Sequence, residues 1–194
     1  MDLNLSTPLS VERLLQFEPK TEWFLKGPLG VHGVAHETRV LILTQLLCQM
    51  IKSDLSADDL AWASIFHDTQ RQDDWIDADH GKRAAKFVRS SFPKTSFNPD
   101  LNVKNVTHLC EWHATNDDEI PSLNEALKVF KDADALDRWR IGDLNPDFLR
   151  FPQSVELASF SYDLWAATRD IGYSKNENAF RLIIERSRTL GVVK

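Results

Sequence analysis

Along most of the chain, apolar residues recur at spacings of three and four, the period of helices that bury one face. Sustained alternation is missing, and so are the Asn-Gly and Asp-Gly pairs that mark tight hairpins. The pattern predicts helices near 10–18, 34–52, 57–69, 79–92, 100–114, 122–140, 154–170 and 177–190. Start signals support several of them: Ser10 before Val11, Ser56 before Ala57, the Asn98-Pro99-Asp100 turn, and Ser122 with Glu125 three residues on as a capping box. Residues 19–33, with Pro19, Gly27, Pro28, Gly30 and Gly33, predict an extended loop, and the polar stretch 70–78 a second one. The expected fold is all-α, a helical bundle. One domain over 1–194 is expected from the length, its core at about 30–140 and its C-terminal helices, about 154–190, packed on that core.

Several core-facing stripes carry residues that are expensive to bury. The second helix runs His36, Val40, Leu43, Leu47, Met50, and the third ends Leu60, Ser64, His67 with Asp68 beside it. The fourth reads His80, Ala84, Phe87; the fifth Val103, Val106, Cys110, His113; the sixth Leu123, Leu127, Phe130, Asp134, Asp137. Asp132 falls with Glu125 and Lys128 on the opposite, wet face. A lone inward histidine is ordinarily a hydrogen-bonded core residue. Four of the six histidines and two aspartates pointing into one bundle instead suggest a metal site built by facing helices. Imidazole nitrogen and carboxylate oxygen without thiolate suit Mn, Mg, Fe, Co, Ni or Zn, as one or two ions.

Composition narrows the field. Hydrophobic residues make up 42% of the 194 and charged ones 27%, enough for a packed core and too apolar for disorder. The net charge of −6 argues against extended nucleic-acid binding, so any phosphate site must be local. Cys48 and Cys110 lie far apart and form no CxxC pair, which predicts two reduced core thiols. The first ten residues lack the basic and apolar runs of a signal peptide, and the twelve-residue stretch Val40–Ile51 is too short to span a bilayer. The expectation is a cytoplasmic protein without membrane association, of undetermined oligomeric state.

The ordered set His36, His67-Asp68 and Asp134, the last within Asp132-Ala133-Asp134-Ala135-Leu136-Asp137, resembles the HD-domain superfamily of metal-dependent phosphohydrolases over roughly residues 30–140. His80 and His113 resemble the two extra histidines of its two-metal members. The resemblance implies one ion on His36, His67, Asp68 and Asp134, and a second on Asp68, His80 and His113, with Asp68 as the bridge. In single-metal members His80 and His113 would hold phosphate or support the site. The implied reaction is hydrolysis of a small, nucleotide-like phosphomonoester or phosphodiester by metal-activated water, with Asp68 and Arg71 as catalytic residues. Arg71 is expected to clamp an oxygen, with Lys82, Arg83 and His32 as further substrate-binding residues. Asp73, Asp74 and Asp137 are candidates for a proton donor or a supporting partner, His108 is expected to be structural, and Trp75 offers a stacking surface for a base.

Departures from the family's patterns narrow the substrate. Gln70-Arg71-Gln72 replaces the acidic pair of the alarmone hydrolases, Arg71 stands where the 5′-nucleotidase members carry Glu, and the Gly-Tyr-Pro signature of cyclic-di-GMP phosphodiesterases is missing. None of those substrates is supported. Two other classes stay open at this point: an HD-like di-iron oxygenase similar to inositol oxygenase, and a metal-stiffened helical module without catalytic activity.

Overall fold

The computed structural model describes residues 7–91, 101–171 and 178–194. The Asn98-Pro99-Asp100 turn and the first six residues lie outside them, as do the predicted helix boundaries at 92, 100 and 177. Among the described residues the architecture is all-α, as the periodicity predicts, with eight α-helices: α1 (Val11–Leu15), α2 (Val34–Ile51), α3 (Ala57–Phe66), α4 (His80–Ser91), α5 (Val103–Trp112), α6 (Glu125–Leu136), α7 (Pro152–Thr168) and α8 (Ala179–Thr189). An isolated parallel bridge joins Leu9 to Val193 and ties the two ends together. No helix among the described residues is long and apolar enough to cross a membrane.

Helix α2 is the axis of the bundle. Every residue from Val34 to Leu47 is buried, so the stripe seen in the sequence is only part of a helix covered on all sides. It packs against α3, α6, α7 and α8, while α5 joins α3 to α4. The start of α5 is fixed to α3 by Asp59, whose two oxygens accept from the Asn102 backbone N–H (3.1 Å) and the Asn105 side-chain amide (2.8 Å).

Two glycines permit approaches that a side chain would block. A Cβ at Gly33 would meet the Pro28 carbonyl oxygen at 2.2 Å, and Pro28 accepts the Val34 N–H, so the loop folds tightly onto the first turn of α2. A Cβ at Gly81 would lie 2.7 Å from the Cys110 carbonyl oxygen, so only glycine lets α4 come this close to α5.

Ser10 and Ser56 cap their helices as expected. Helix α6, however, is capped by Asn124, which accepts from the Leu127 N–H at 2.8 Å, and starts later than the Ser122 capping box predicts. The Ser122 carbonyl instead accepts from His108 (2.9 Å), which leaves that histidine in a structural role. The helix also ends earlier, tightening into a 3-10 turn over Asp137–Ile141. Pro152 at the first turn sets the start of α7. Both cysteines are free; Cys110 is in the core, whereas Cys48 is only half-buried.

Asp132 is the clearest error of the sequence pattern. It is fully buried, and its carboxylate accepts from the backbone N–H groups of Arg150 (2.8 Å) and Phe151 (3.1 Å) and from Arg150 Nη1 (2.9 Å). The segment leading into α7 covers a face that the isolated helix would present to water. Arg150 forks on to Asp117, which also receives Lys131 Nζ at 2.9 Å, so this network fixes the wall beside α6. Removing one partner of a buried pair strands the other. Asp132→Ala is therefore expected to cost about 3 kcal/mol, lowering the thermal midpoint by about 10 °C, with metal content of the folded protein unchanged. Calorimetry showing an unshifted midpoint would contradict this account of the wall.

Candidate metal centre

Four imidazoles converge where α2, α3, α4 and α5 meet. Each has its Nδ1 proton committed. His67 Nδ1 donates to the Ser64 carbonyl (2.9 Å), His113 Nδ1 to the Cys110 carbonyl (2.8 Å), and His80 Nδ1 to the Asp77 carbonyl. His36 Nδ1 donates to Asp137 Oδ2 at 2.8 Å. A carbonyl or carboxylate oxygen can only accept, so every ring carries a proton on Nδ1 and turns Nε2 inward. Those inward nitrogens face one another: His36 Nε2 lies 3.0 Å from His67 Nε2, and His80 Nε2 lies 2.9 Å from His113 Nε2.

The two carboxylates complete both pairs. Asp134 Oδ1 is 3.3 Å from His36 Nε2 and 3.9 Å from His67 Nε2. Asp68 stands between the halves: Oδ2 is 3.6 Å from His36 Nε2 and 3.8 Å from His67 Nε2, while Oδ1 is 3.2 Å from His80 Nε2 and 3.7 Å from His113 Nε2. Oδ1 is buried and has no hydrogen-bond partner among the described residues. Bonds of about 2.0–2.2 Å to a metal place neighbouring donor atoms about 2.9–3.6 Å apart, close to the spacings observed in both halves. The donor set therefore fits a divalent cation, and overlapping trios of its members lie close enough to share one ion.

Electrostatics point the same way. Burial lowers the His67 pKa to about 3, and burial together with neighbouring His113 lowers that of His80 to about 4, which keeps both rings neutral with their lone pairs exposed. Burial by itself would raise Asp68 and Asp134. The surrounding imidazoles, His67 foremost for Asp68 and His36 for Asp134, outweigh it and hold both carboxyls well below the ordinary range. Burial also disfavours charge on His113, yet the Asp68 carboxylate raises its pKa, so the centre favours positive charge at that spot.

Supporting groups set the orientations. Phe130 stands edge-on to His67, with ring centroids 5.4 Å apart. Asp137 is fully buried, and besides His36 it receives the Arg39 fork: Nε to Oδ1 at 2.5 Å and Nη2 to Oδ2 at 3.0 Å. It is thus a positioning group, which excludes it as a proton donor to substrate. Burial opposes its ionisation, but Arg39 and His36 prevail and hold its pKa at about 2. His32 Nδ1 lies 2.6 Å from Asp68 Oδ2, so this histidine supports the bridging carboxylate.

A cleft of about 870 Å³ opens from the centre and is lined by His32, Asp68, Arg71, His80, His113 and Asp134, then by residues of α6 and the segment 143–150. Of the cations expected to bind substrate, only Arg71 reaches it. Its Nη1 is 3.5 Å from Asp68 Oδ1 and 3.3 Å from His80 Nε2. Lys82 is exposed and paired with Asp79 (2.9 Å); Arg83 turns away to Gln70 and Asp77. Both sit off the His80–Ala84–Val88 face of α4 and do not line the cleft. Trp75 is 86% exposed on its loop and is likewise not part of the lining. Asp73 and Asp74 are committed to that loop, Asp73 capping the Trp75 N–H and Asp74 pairing with Lys26.

Sequence reasoning missed Arg140, Lys131, Arg138 and Arg150, which lie along the cleft. It also missed Glu37, fully buried, with neither carboxyl oxygen hydrogen-bonded among the described residues and a pKa pushed well up by burial. Arg39, which pairs with Asp137, was missed as well, though it lies at +3 from His36.

A family model described as the HD domain matches residues 33–139, more than half of the chain. Comparison with curated proteins and with solved structures returns no match.

Asp137→Asn keeps the shape of the group that orients His36 and removes its charge. Metal affinity is expected to fall about 10- to 100-fold, read by competition with a chromophoric chelator. Because the folded pKa of about 2 lies below the ordinary value of about 4, the stabilisation from Asp137 is complete above pH 4 and lost as pH falls towards 2. Acid unfolding of the variant should accordingly depend less on pH across that window than that of the wild type.

Proposed function

The chain belongs to the HD-domain family, and from that premise we propose that it is a metal-dependent phosphohydrolase acting on a small, nucleotide-like phosphoester. One observation carries the reading: paired imidazole nitrogens face each other at 3.0 and 2.9 Å across a two-oxygen carboxylate, at the foot of a cleft large enough for a nucleotide. Imidazole nitrogens at this spacing need positive charge between them, either a shared proton or a metal cation. The proposed ligands are His36, His67, Asp68 and Asp134 for one ion, with Asp68, His80 and His113 for a second; Mn, Mg, Fe, Co, Ni and Zn all suit this donor set. A divalent ion there supplies a water of lowered pKa as nucleophile and a counter-charge for the phosphoryl oxygens.

The remaining work falls to the chain's own residues. Asp68 links the two halves, is kept ionised by the surrounding imidazoles, His67 foremost, and is oriented by His32. Asp137 and the carbonyls of Ser64, Asp77 and Cys110 lock the rings so that no reorientation is needed on binding. Arg71, braced by the carbonyls of Asp73 (3.1 Å) and Trp75 (3.0 Å), presents Nη1 beside Asp68 as the proposed oxygen clamp.

Purified protein should contain a divalent transition metal or magnesium by elemental analysis. It should hydrolyse members of a panel of p-nitrophenyl phosphate, bis(p-nitrophenyl) phosphate and nucleotides, lose activity to a chelator, and regain it with one or more of the metals above. Arg71→Ala is expected to lower turnover about 10- to 1000-fold at unchanged metal content, the loss of one transition-state donor. Equal turnover in chelated and metal-replete protein would refute the mechanism. Bound iron that consumes oxygen, with no phosphoester turned over, would move the assignment to an oxygenase.

A further inference from the structure

Five cationic side chains line the cleft: Arg71, Lys131, Arg138, Arg140 and Arg150. Four are engaged. Arg150 holds Asp117 and Asp132, Lys131 holds Asp117 and the Thr115 carbonyl, Arg138 holds both oxygens of Asp143, and Arg71 is braced by its own loop.

Arg140 differs. Its Nε donates to the Val31 carbonyl at 2.9 Å, which fixes the plane of the guanidinium. Its Nη1 is buried with no hydrogen-bond partner among the described residues. Asp137 Oδ2 lies 3.8 Å from it and already accepts from His36 and Arg39. Its Nη2 faces His32 Nδ1 at 3.4 Å, but that nitrogen gives its proton to Asp68 and has no lone pair left to accept one. Both terminal nitrogens of a side chain that is only 6% exposed thus lack an acceptor, an arrangement that is costly in isolation. Arg140 follows Asp134 by six residues and sits beside His32, at the His36–Asp134 half of the centre.

From this we infer that Arg140 binds two phosphoryl oxygens of the substrate as a planar fork and that the preferred substrate is a phosphomonoester, an inference that rests on the phosphohydrolase reading above. A guanidinium fork matches two oxygens of a tetrahedral anion. With a third oxygen turned to the metal centre, the group needs three unesterified oxygens. A monoester or inorganic phosphate has three; a diester has two. Arg140 lies just beyond the residues matched by the family model.

Calorimetric titration of metal-loaded protein with inorganic phosphate tests the fork without requiring turnover. Arg140→Met is expected to weaken phosphate binding about tenfold or more at unchanged metal content, and Arg140→Lys, which keeps the charge but not the fork, to lose most of the same affinity. Lys82→Ala, remote from the cleft, should bind as the wild type does. In turnover, Arg140→Met should lose kcat/KM on p-nitrophenyl phosphate by about tenfold or more while changing that on bis(p-nitrophenyl) phosphate much less. Wild-type affinity in metal-loaded Arg140→Met overturns the inference and leaves the phosphohydrolase reading intact; if Arg140→Met fails to fold, wild-type affinity in Arg140→Lys overturns it equally. Phosphate that does not bind the metal-loaded wild type at all overturns both.

Discussion

Imidazole nitrogens that face each other across about 3 Å inside a protein core need positive charge between them, a proton or a metal ion, and the fold holds two such pairs around one carboxylate. The architecture of the bundle follows from meeting that constraint. Helix α2, covered by α3, α6, α7 and α8, carries His36 into the centre. Gly81 lets α4 approach α5 closely enough for His80 to meet His113. Every ring is locked through Nδ1 by a carbonyl or by Asp137, so the geometry of the inward nitrogens is set by backbone and buried carboxylate, the least mobile parts of the structure.

Asp137 shows how the site and the fold share the same groups. It orients His36, neutralises the buried Arg39, and through Arg39 reaches Thr168 on α7, 3.5 Å from Nη1. A helix outside the donor set is in this way tied to a ligand's orientation. Asp132, two positions before Asp134, holds the segment before α7 to the wall of the cleft. The end of α6 and the 3-10 turn after it therefore carry one carboxylate that faces the imidazoles, Asp134, one that orients His36, Asp137, and one that fixes the cleft wall, Asp132. Their roles differ only by which neighbours they meet.

Charge within the cleft is sorted by the same rule. The surface balance is acidic, and most cations near the centre are matched to carboxylates or carbonyls, which leaves them little capacity to bind an anion. Arg140 stands apart because its nearest acceptors are already occupied, His32 Nδ1 by Asp68 and Asp137 Oδ2 by His36 and Arg39. Fixing those groups leaves a guanidinium at the lining of the cleft whose buried Nη1 has no hydrogen-bond partner among the described residues.

Helical periodicity by itself determined the all-α class and the inward direction of His36, His67, His80, His113 and Asp134, because facing the core within one helix is a local property of the 3.6-residue repeat. The order His, His-Asp, Asp along the chain was also enough to indicate the family. Tertiary structure alone decided that Asp132 is buried, since its cover arrives from Arg150 and Phe151, and that Asn124 rather than Ser122 caps α6. Likewise, neighbours in sequence placed Lys82 and Arg83 beside the centre, and the rotation of α4 carried them away from it. Arg140 was invisible for the complementary reason: its significance lies in acceptors it lacks, and an unfilled hydrogen bond exists only once His32, Asp68, Asp137 and Val31 have been brought together from distant parts of the chain.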